Sequence, residues 1–396
     1  VGASYVNVDI REGGGVTSFF GSTIFFNDIF RDTPFTSGAE TKGVFGSIDY
    51  QFTDQFSLTF EGRYQEDKIS SGDVNAGLAE PISPAKITSF LPRVTLRYQP
   101  SSYTTLYATY SKGNLPGGFN REIAELDATQ LAEFNSKAPG ASAVYDEESL
   151  TNYEFGWKQD DPNGVFSFNL AAFYMRRSDE VYNSIVTVVD TRPTSPNPIR
   201  TVNFITNGAT TDIYGVELDS RVNINDNISM QGTFSYIDSA IASFPADGGT
   251  GDFGDIFGPG ADVEGQQAPR FPPLTFSLGG MYEGNINSFL GFDSWYARSD
   301  FFFTGKYYIS NANVAQVESA TDLNLRLGLQ GENMGVEFIV TNVLGETAPT
   351  TAQNFSDTSY ATRTLPGGFF DFSREGSRVG LRDKRQFGIR LNYTFQ

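Results

Sequence analysis

Residues 385–395, at the C-terminal end of the sequence, alternate between apolar and polar side chains with a period of two. One face of this segment carries five large apolar side chains, at Phe387, Ile389, Leu391, Tyr393 and Phe395. A period of two with unlike faces indicates a β-strand that separates two different media. Such a strand is unusual at the end of a water-soluble domain. It is typical of the last strand of a transmembrane β-barrel, with one face in lipid and the other towards the lumen.

The same alternation recurs along the chain and predicts about fourteen strands. They lie near 1–10, 42–52, 55–67, 86–98, 102–112, 149–159, 164–177, 210–225, 227–240, 274–285, 292–309, 320–332, 335–343 and 385–395. All except 335–343 have at least the roughly 9–11 residues that a strand needs to cross the hydrocarbon core. The sequence therefore predicts an all-β fold, a transmembrane antiparallel β-barrel that forms a single domain over residues 1–396.

The connections between the predicted strands differ in length in a regular way. Short turns alternate with long segments near 11–41, 68–85, 113–148, 178–209, 241–273 and 344–384. Short turns at one end and long loops at the other are typical of outer-membrane barrels, whose long loops are extracellular. Within 113–148, Ile123, Leu126, Leu131 and Phe134 have near-helical spacing, so we expect a short surface helix there.

The composition excludes several functional classes. With no cysteine and no histidine among 396 residues, thiol chemistry, a Ser-His-Asp triad and a zinc hydrolase centre are excluded. A net charge of −19 argues against a nucleic-acid partner, which requires basic patches. Aromatic residues make up 14% of the chain, yet mean hydropathy is −0.29, as expected when only every second residue meets lipid. We expect no enzymatic activity, no cofactor and no bound metal.

Several segments resemble the C-terminal part of TonB-dependent outer-membrane receptors, in particular the alphaproteobacterial, sphingomonad-like group. YATYSKG at 107–113 with LPGGFN at 115–120, NYEFGWK at 152–158, YGVELD at 214–219, TNVLGE at 341–346 and the closing strand are similar to motifs of that family, in family order. The positions that carry the motifs are Lys112, Gly113, Gly117, Gly118, Phe119, Asn120, Glu154 and Glu217, together with the C-terminal signature Tyr393 and Phe395.

The resemblance implies an outer-membrane receptor of a Gram-negative bacterium that takes up a scarce, bulky ligand. That ligand would be a ferric siderophore, a vitamin, a glycan or an aromatic compound. The implied partners are TonB, contacted through an N-terminal region, outer-membrane lipid and lipopolysaccharide, and the barrel-assembly machinery, contacted through the last strand. Relatives have a plug and 22 strands, so we expect the plug and about eight strands to precede the fourteen visible ones. A passive fourteen-strand channel and a soluble β-rich binding domain are the alternatives.

Candidate ligand contacts lie in the long loops. Arg374, Arg378 and Arg382 form a basic cluster in an acidic protein and could hold an anionic ligand or lipopolysaccharide phosphates, although a network of internal salt bridges explains them as well. Phe119 and Tyr145 could stack on an aromatic or sugar ligand, and loop packing is the alternative. We expect Gly117 and Gly118 to supply unusual backbone dihedrals where a strand breaks into a loop. Glu154 and Glu217 are expected on the polar face.

Overall fold

The computed structural model describes residues 1–12, 18–20, 23–25, 35–73, 82–191, 199–244, 263–356, 364–365, 369–370 and 375–395. Its main feature is one antiparallel sheet of fourteen strands in which each strand pairs with its neighbours in sequence. Both the number of strands and the all-antiparallel arrangement predicted from the alternation are confirmed. Among the described residues the first strand pairs only with the second and the last only with the thirteenth, so this sheet has two free edges.

The strands are named β1 to β14 in chain order. Their bounds are β1 (Gly2–Glu12), β2 (Phe35–Gln51), β3 (Phe56–Asp73), β4 (Ile82–Ser101), β5 (Thr104–Leu115), β6 (Glu148–Asp160), β7 (Phe166–Val189), β8 (Ile199–Asn225), β9 (Ile228–Ser243), β10 (Leu274–Phe289), β11 (Phe292–Thr304), β12 (Ala320–Gln330), β13 (Met334–Thr341) and β14 (Gln386–Tyr393).

Short turns join the strands at one end of the sheet, the turn end, and long connections join them at the other, the loop end. Several strands continue further towards the loop end than the alternation indicates. The longest pair, β7 and β8, remains hydrogen-bonded up to Val189 and Ile199, well inside the segment 178–209 expected to be loop. The part of this pair beyond residues 178 and 210 is called the arm, because pairing to β6 ends at Ser178 and pairing to β9 ends at Thr210.

The two faces of the sheet have opposite character. Directly opposed residues share a face, and on β3 and β4 the pair Phe60–Val94 lies on one face while Glu61–Arg93 lies on the other. The first is called the apolar face and the second the polar face. Side chains of the apolar face stay exposed in the described chain, with Phe60 at 41% and Phe387 at 77%. A soluble sandwich would bury such a face, so that alternative is wrong.

The connection between β5 and β6, residues 116–147, folds into a compact segment called the strap. It contains the helices α1 (Arg121–Ala124) and α2 (Ala128–Lys137), and a short pair between Gly118–Phe119 and Val144–Tyr145. The expected surface helix is thus present, as two helices rather than one. Asp127 begins α2 with a capping box, accepting from the N–H of Thr129 at 2.8 Å and of Gln130 at 3.0 Å.

The strap packs onto the arm around a small hydrophobic core. Ile123, Phe134 and Ala138 of the strap are buried against Val202 and Phe204 of β8, together with Val188 of β7. The rings of Phe134 and Phe204 meet edge to face, with 4.9 Å between their centroids. Among the described residues no helix is both long enough and apolar enough to cross a membrane.

Smaller antiparallel pairs complete the described loops. They join Ser18–Phe20 to Thr23–Phe25, Tyr307–Tyr308 to Gln316–Val317, Thr351–Ser356 to Glu375–Gly380, and Thr364–Leu365 to Phe369–Phe370.

Candidate functional site

Asn120, the last residue of the LPGGFN motif, attaches the strap to the arm. Its amide nitrogen donates to the carbonyls of Ser142 at 2.8 Å and Ile205 at 2.6 Å, and its amide oxygen accepts the N–H of Ile205 at 2.7 Å. Asn120 is almost fully buried, with 4% of its surface exposed. Its side chain therefore occupies the place that a neighbouring strand would take beside Ile205.

The strap satisfies both free edges of the arm in this way. On the β8 edge, Glu122 also accepts the N–H of Asn203 at 2.7 Å. On the β7 edge, Glu133 accepts the N–H of Val189 at 2.8 Å, and Gln130 donates to the carbonyl of Val189 at 3.2 Å. Exposed strand edges leave backbone groups unpaired and invite pairing with other chains. Side chains of the strap thus complete the hydrogen bonding of a hairpin that rises beyond its neighbours.

Gly117 and Gly118 are required for close approach rather than for their dihedrals. Neither has a positive φ, so the expectation of an unusual backbone conformation at these positions is wrong. A Cβ at Gly117 would lie 2.1 Å from the carbonyl oxygen of Tyr145, and one at Gly118 would lie 2.2 Å from the Tyr145 hydroxyl. The neighbouring Gly113 meets nothing within 4 Å. The glycine pair lets the returning half of the strap lie directly against the strand that begins it.

The contact that Asn120 makes is repeated three times at the loop end. We call it an amide clasp: an asparagine side chain that donates to the carbonyl of one residue and accepts the N–H of the same residue. The other clasps join Asn207 to Asp146 (2.9 and 2.8 Å), Asn313 to Gln267 (both 2.8 Å) and Asn342 to Glu346 (2.9 and 2.7 Å). Each clasp replaces a single backbone pairing and fixes a connection that has no regular strand partner at that point.

The TNVLGE motif forms a tight turn after β13. Asn342 and Gly345 both have positive φ, at 50° and 72°, and the Asn342 amide also donates to the carbonyl of Asp383 at 2.9 Å. Glu346 accepts backbone N–H groups of Thr321 at 3.0 Å and of Ala348 at 2.8 Å. These hydrogen bonds, that from Ala348 first, hold the pKa of the Glu346 carboxyl below its usual range.

The basic residues before β14 make internal contacts. Arg382 forms an ion pair with Asp322 at 2.6 Å, and Arg385 donates to the carbonyl of Val343 at 2.5 Å. Arg378 lies in the short pair opposite Gln353, and Arg374 lies outside the described residues. Arg382 therefore forms a salt bridge that closes the last loop, in agreement with the internal salt bridges that are the alternative explanation of this cluster.

The two aromatic candidates pack within the strap. Phe119 and Tyr145 are each partly buried, and Tyr145 lies opposite Gly118 in the short pair. Burial raises the pKa of the Tyr145 hydroxyl. The motif residue Lys112 lies at the loop end of β5, opposite Thr151.

Carboxylates of the strap are held in their charged form. The hydroxyl of Thr191 and the N–H groups of the first turn of α2 bind Asp127 and lower the pKa of its carboxyl. Lys137, at 2.7 Å, and the N–H of Val189 lower the pKa of the Glu133 carboxyl. Both carboxylates therefore stabilise the strap most strongly when ionised.

The polar face carries acid–tyrosine and acid–arginine contacts. Tyr107 donates to Glu154 at 2.7 Å, with its ring lying over Gly156 of the opposing strand. Tyr296 donates to Glu337 at 2.7 Å. A second charged contact, from Arg390, reaches Glu337 at 3.1 Å.

Glu217 lies exposed on the same face, opposite Ala171, so both motif glutamates occupy the face expected for them. Among the described residues no group of acidic side chains could hold a metal ion. The polar face thus offers ordered hydrogen-bonding and charged groups.

The sequence did not single out most of the residues that fix the loops. Most of these are ordinary polar residues in polar segments, and their local sequence pattern does not identify them as residues that hold the loops together. They are Asn207, Asn313, Gln130 and Glu133. Of the four clasp asparagines, Asn120 and Asn342 lie within the family-like motifs LPGGFN and TNVLGE. The clasps become visible once segments that are distant in sequence have been placed side by side.

A family comparison agrees with this architecture. The family model described as "TonB dependent receptor-like, beta-barrel" matches residues 1–343. The chain belongs to the TonB-dependent receptor family and forms part of its β-barrel. This family consists of outer-membrane receptors and transporters rather than enzymes, and the outer membrane is the location of the protein. The apolar face is accordingly the lipid-facing surface and the polar face lines the interior.

Solved structures show the same fold at low sequence identity. The ferric citrate transporter in its unliganded form has a TM-score of 0.64 at 15% identity, with 99% of this chain and 50% of that chain covered. The ferric preacinetobactin receptor of Acinetobacter baumannii has a TM-score of 0.63 at 16% identity, with coverages of 99% and 50%. The ferric yersiniabactin uptake receptor of Yersinia pestis has a TM-score of 0.61 at 15% identity, with coverages of 92% and 47%. The chain spans about half the length of these relatives.

Proposed function

We propose that the protein takes part in TonB-dependent uptake of a ferric siderophore-type ligand across the outer membrane. The observation that carries the proposal is a barrel of the receptor family whose loop end is ordered by a strap and four amide clasps. The relatives named above bind or transport ferric citrate, ferric preacinetobactin and ferric yersiniabactin, which favours an iron complex over a vitamin or a glycan.

Ordered loops suit selective capture of a scarce ligand. A binding surface that is already folded loses less conformational entropy when the ligand binds. A general diffusion channel needs no such surface at its mouth. The acid–tyrosine pairs Tyr107–Glu154 and Tyr296–Glu337 similarly order the interior wall, along which a ligand or a plug would pass.

The test is uptake of radioactive iron by cells that carry the intact gene. We expect iron-starved cells to accumulate a supplied ferric siderophore, and deletion of either this gene or the gene for TonB to abolish that accumulation. Complementation with the intact gene provides the control. Uptake that continues without TonB, accompanied by single-channel conductance of the purified protein, would replace the proposal with the passive channel.

The basic cluster offers a narrower test of ligand contact. We propose that Arg378 and Arg382 attract an anionic ferric complex in addition to their internal contacts. The double variant Arg378→Gln/Arg382→Gln should then lower uptake, compared with Lys306→Gln, which removes an exposed lysine elsewhere at the loop end. Equal uptake by the two variants would leave the arginines with a structural role only.

The last strand supports a proposal about assembly. β14 is exposed along its whole length, and the aromatic side chains of Tyr393 and Phe395 meet edge to face with centroids 4.9 Å apart. We propose that the barrel-assembly machinery recognises this free edge and its terminal aromatic groups. Replacing Phe395 by serine should lower the amount of protein in the outer membrane without altering its messenger RNA, and an unchanged amount would refute the proposal.

A further inference from the structure

Two asparagines of the sequence, Asn163 and Asn207, are directly followed by glycine. In such a pair the backbone nitrogen of the glycine can attack the side-chain amide of the asparagine. Glycine favours the attack because it has no Cβ to hinder the approach and because its backbone reaches dihedrals that other residues avoid. These two positions are therefore the ones in this chain at which spontaneous loss of an amide is chemically most favoured.

The reaction requires water and no other reactant. The backbone nitrogen of the glycine forms a bond to Cγ of the asparagine, and its proton leaves with the side-chain nitrogen as ammonia. Water then opens the resulting cyclic imide at one of its carbonyls. The product is aspartate or isoaspartate, so an amide that donates hydrogen bonds becomes a carboxylate that only accepts them.

Asn163 lies in a part of the structure that leaves it open to this reaction. With Gly164 it forms the short turn between β6 and β7, and both residues are exposed. The backbone of the turn is held by Asp161, whose carboxylate accepts the N–H of Asn163 at 2.9 Å. Within the described ranges the side-chain amide of Asn163 has no hydrogen-bond partner. An exposed turn opens readily, so this amide can approach the glycine nitrogen.

Asn207 and Gly208 lie at a bulge near the base of the arm. Between the opposed pairs Glu180–Ala209 and Tyr182–Thr206, two residues of β8 face one residue of β7. Gly208 is exposed and has a φ of 128°, a conformation that residues with a side chain rarely adopt. Water therefore reaches the Asn207–Gly208 bond in the folded chain, and burial alone does not protect it.

Three hydrogen bonds hold the side-chain amide of Asn207. Its nitrogen donates to the carbonyls of Asp146 and Asp179, both at 2.9 Å, and its oxygen accepts the N–H of Asp146 at 2.8 Å. Attack by the nitrogen of Gly208 requires the amide plane to turn, which cannot occur while all three bonds are made. Asp146 belongs to the strap, so opening of the strap removes two of the three.

We propose that Asn207 is a protected modification site, at which deamidation follows opening of the strap. A carboxylate at position 207 cannot donate to the carbonyls of Asp146 and Asp179, so the original clasp cannot form again. It also adds a negative charge beside a segment, 146–148, that carries three consecutive acidic side chains. An opening that is reversible in the parent chain thus becomes permanent, and the clasp is the device that prevents it.

The test compares the two asparagines within one molecule. Full-length receptor, purified in detergent, is incubated at mildly alkaline pH, and peptide mass spectrometry follows the conversion of amide to acid at Asn163 and Asn207. Each rate is divided by that of the same receptor unfolded in guanidinium chloride, which removes the influence of neighbouring residues. We expect Asn163 to react almost as in the unfolded chain. Asn207 should react roughly a hundredfold more slowly, because three hydrogen bonds must break first.

A glycine variant connects the reaction to the clasp. A Cβ at Gly117 would lie 2.8 Å from the carbonyl carbon of Asp146, so Gly117→Ala displaces the residue that Asn207 binds. We expect this variant to deamidate at Asn207 roughly tenfold faster than the parent, with the rate at Asn163 unchanged. The matched control Gly113→Ala places its Cβ in open space and should react like the parent.

The consequence of the modification is tested with Asn207→Asp. Peptides that cover 143–148 and 179–183 should exchange hydrogen faster in this variant. Asn163→Asp makes the same chemical change in an exposed turn and should leave these peptides unaffected. Unchanged heat-modifiable electrophoretic mobility verifies that the variants are folded.

Three results would each overturn the proposal. They are equal relative rates at the two asparagines of the folded parent, no acceleration at Asn207 in Gly117→Ala compared with Gly113→Ala, and unchanged exchange in Asn207→Asp. Iron uptake is not part of these measurements, so failure of the transport proposal would leave the result intact.

Discussion

Replacing Asn120 by aspartate tests the amide clasp with the smallest change in shape. The aspartate keeps an oxygen that accepts the N–H of Ile205, but it loses both donors and places an oxygen against the carbonyls of Ser142 and Ile205. A buried polar group left without its partner costs about 1–3 kcal/mol. With two carbonyls affected, the free energy for opening of the strap should fall by roughly 2–4 kcal/mol.

Hydrogen exchange followed by mass spectrometry measures this opening where it occurs. Peptides that cover 118–123 and 203–206 should exchange roughly thirtyfold faster or more in the variant, because each 1.4 kcal/mol changes an equilibrium about tenfold. Peptides from β10 to β12 should be unaffected. Asn163→Asp is the control, since Asn163 lies in an exposed turn at the opposite end of the sheet. Unchanged protection around Ile205 in Asn120→Asp would refute the assignment of this residue as a clasp.

Three further predictions concern the loop end. Gly117→Ala should destabilise the strap by about 1–3 kcal/mol, because the new Cβ would clash with the backbone carbonyl of Tyr145. The control Gly113→Ala places its Cβ in open space and should be neutral, and hydrogen exchange measures both variants. Exchange protection of the strap should decrease as pH falls below the ordinary carboxyl range, because the folded state lowers the pKa of Asp127 and of Glu133 and their stabilisation is lost on protonation. Asp127→Asn should reduce this dependence to the part that Glu133 contributes, and an unchanged dependence would contradict the role of Asp127. Arg382→Ala should lower the melting temperature more than Lys384→Ala, since only Arg382 closes the last loop through an ion pair, and equal shifts would count against that role.

The strands could be predicted because successive side chains of each strand face lipid and lumen in turn, so that apolar and polar residues alternate along it. In β14 the side chains of Phe387, Ile389 and Leu391 identify the lipid face without reference to any other part of the chain. The same reasoning gave strand number and orientation. It underestimated the length of β7 and β8, because beyond the membrane the arm is covered by the strap and no longer separates lipid from lumen. The alternation that marks a strand weakens where those two environments end.

Motif recognition located Gly117, Gly118 and Asn120, but it assigned the glycines the wrong physical role. Both positions require glycine because a Cβ there would clash with the backbone or the ring of Tyr145, almost thirty positions further along the chain. The contacts of Asn120 with Ile205 span 85 positions, and those of Asn207 with Asp146 span 61. Nothing local distinguishes Asn207, as a clasp residue, from other polar residues of its segment, and the motif around Asn120 does not indicate which residue it contacts.

The sequence by itself determined that this chain is a membrane-spanning antiparallel barrel, because lipid imposes a repeating chemical pattern on every strand. Only the tertiary structure decided how the loop end is ordered. There the strap covers the free edges of the arm. Backbone groups of the arm bind side chains from segments that are distant in sequence and meet only in the folded chain. The charged residues at the loop end of β3 show the same division: the sequence contains Lys68, but only the register places it between Glu40 of β2 and Lys86 of β4 on the face that meets lipid.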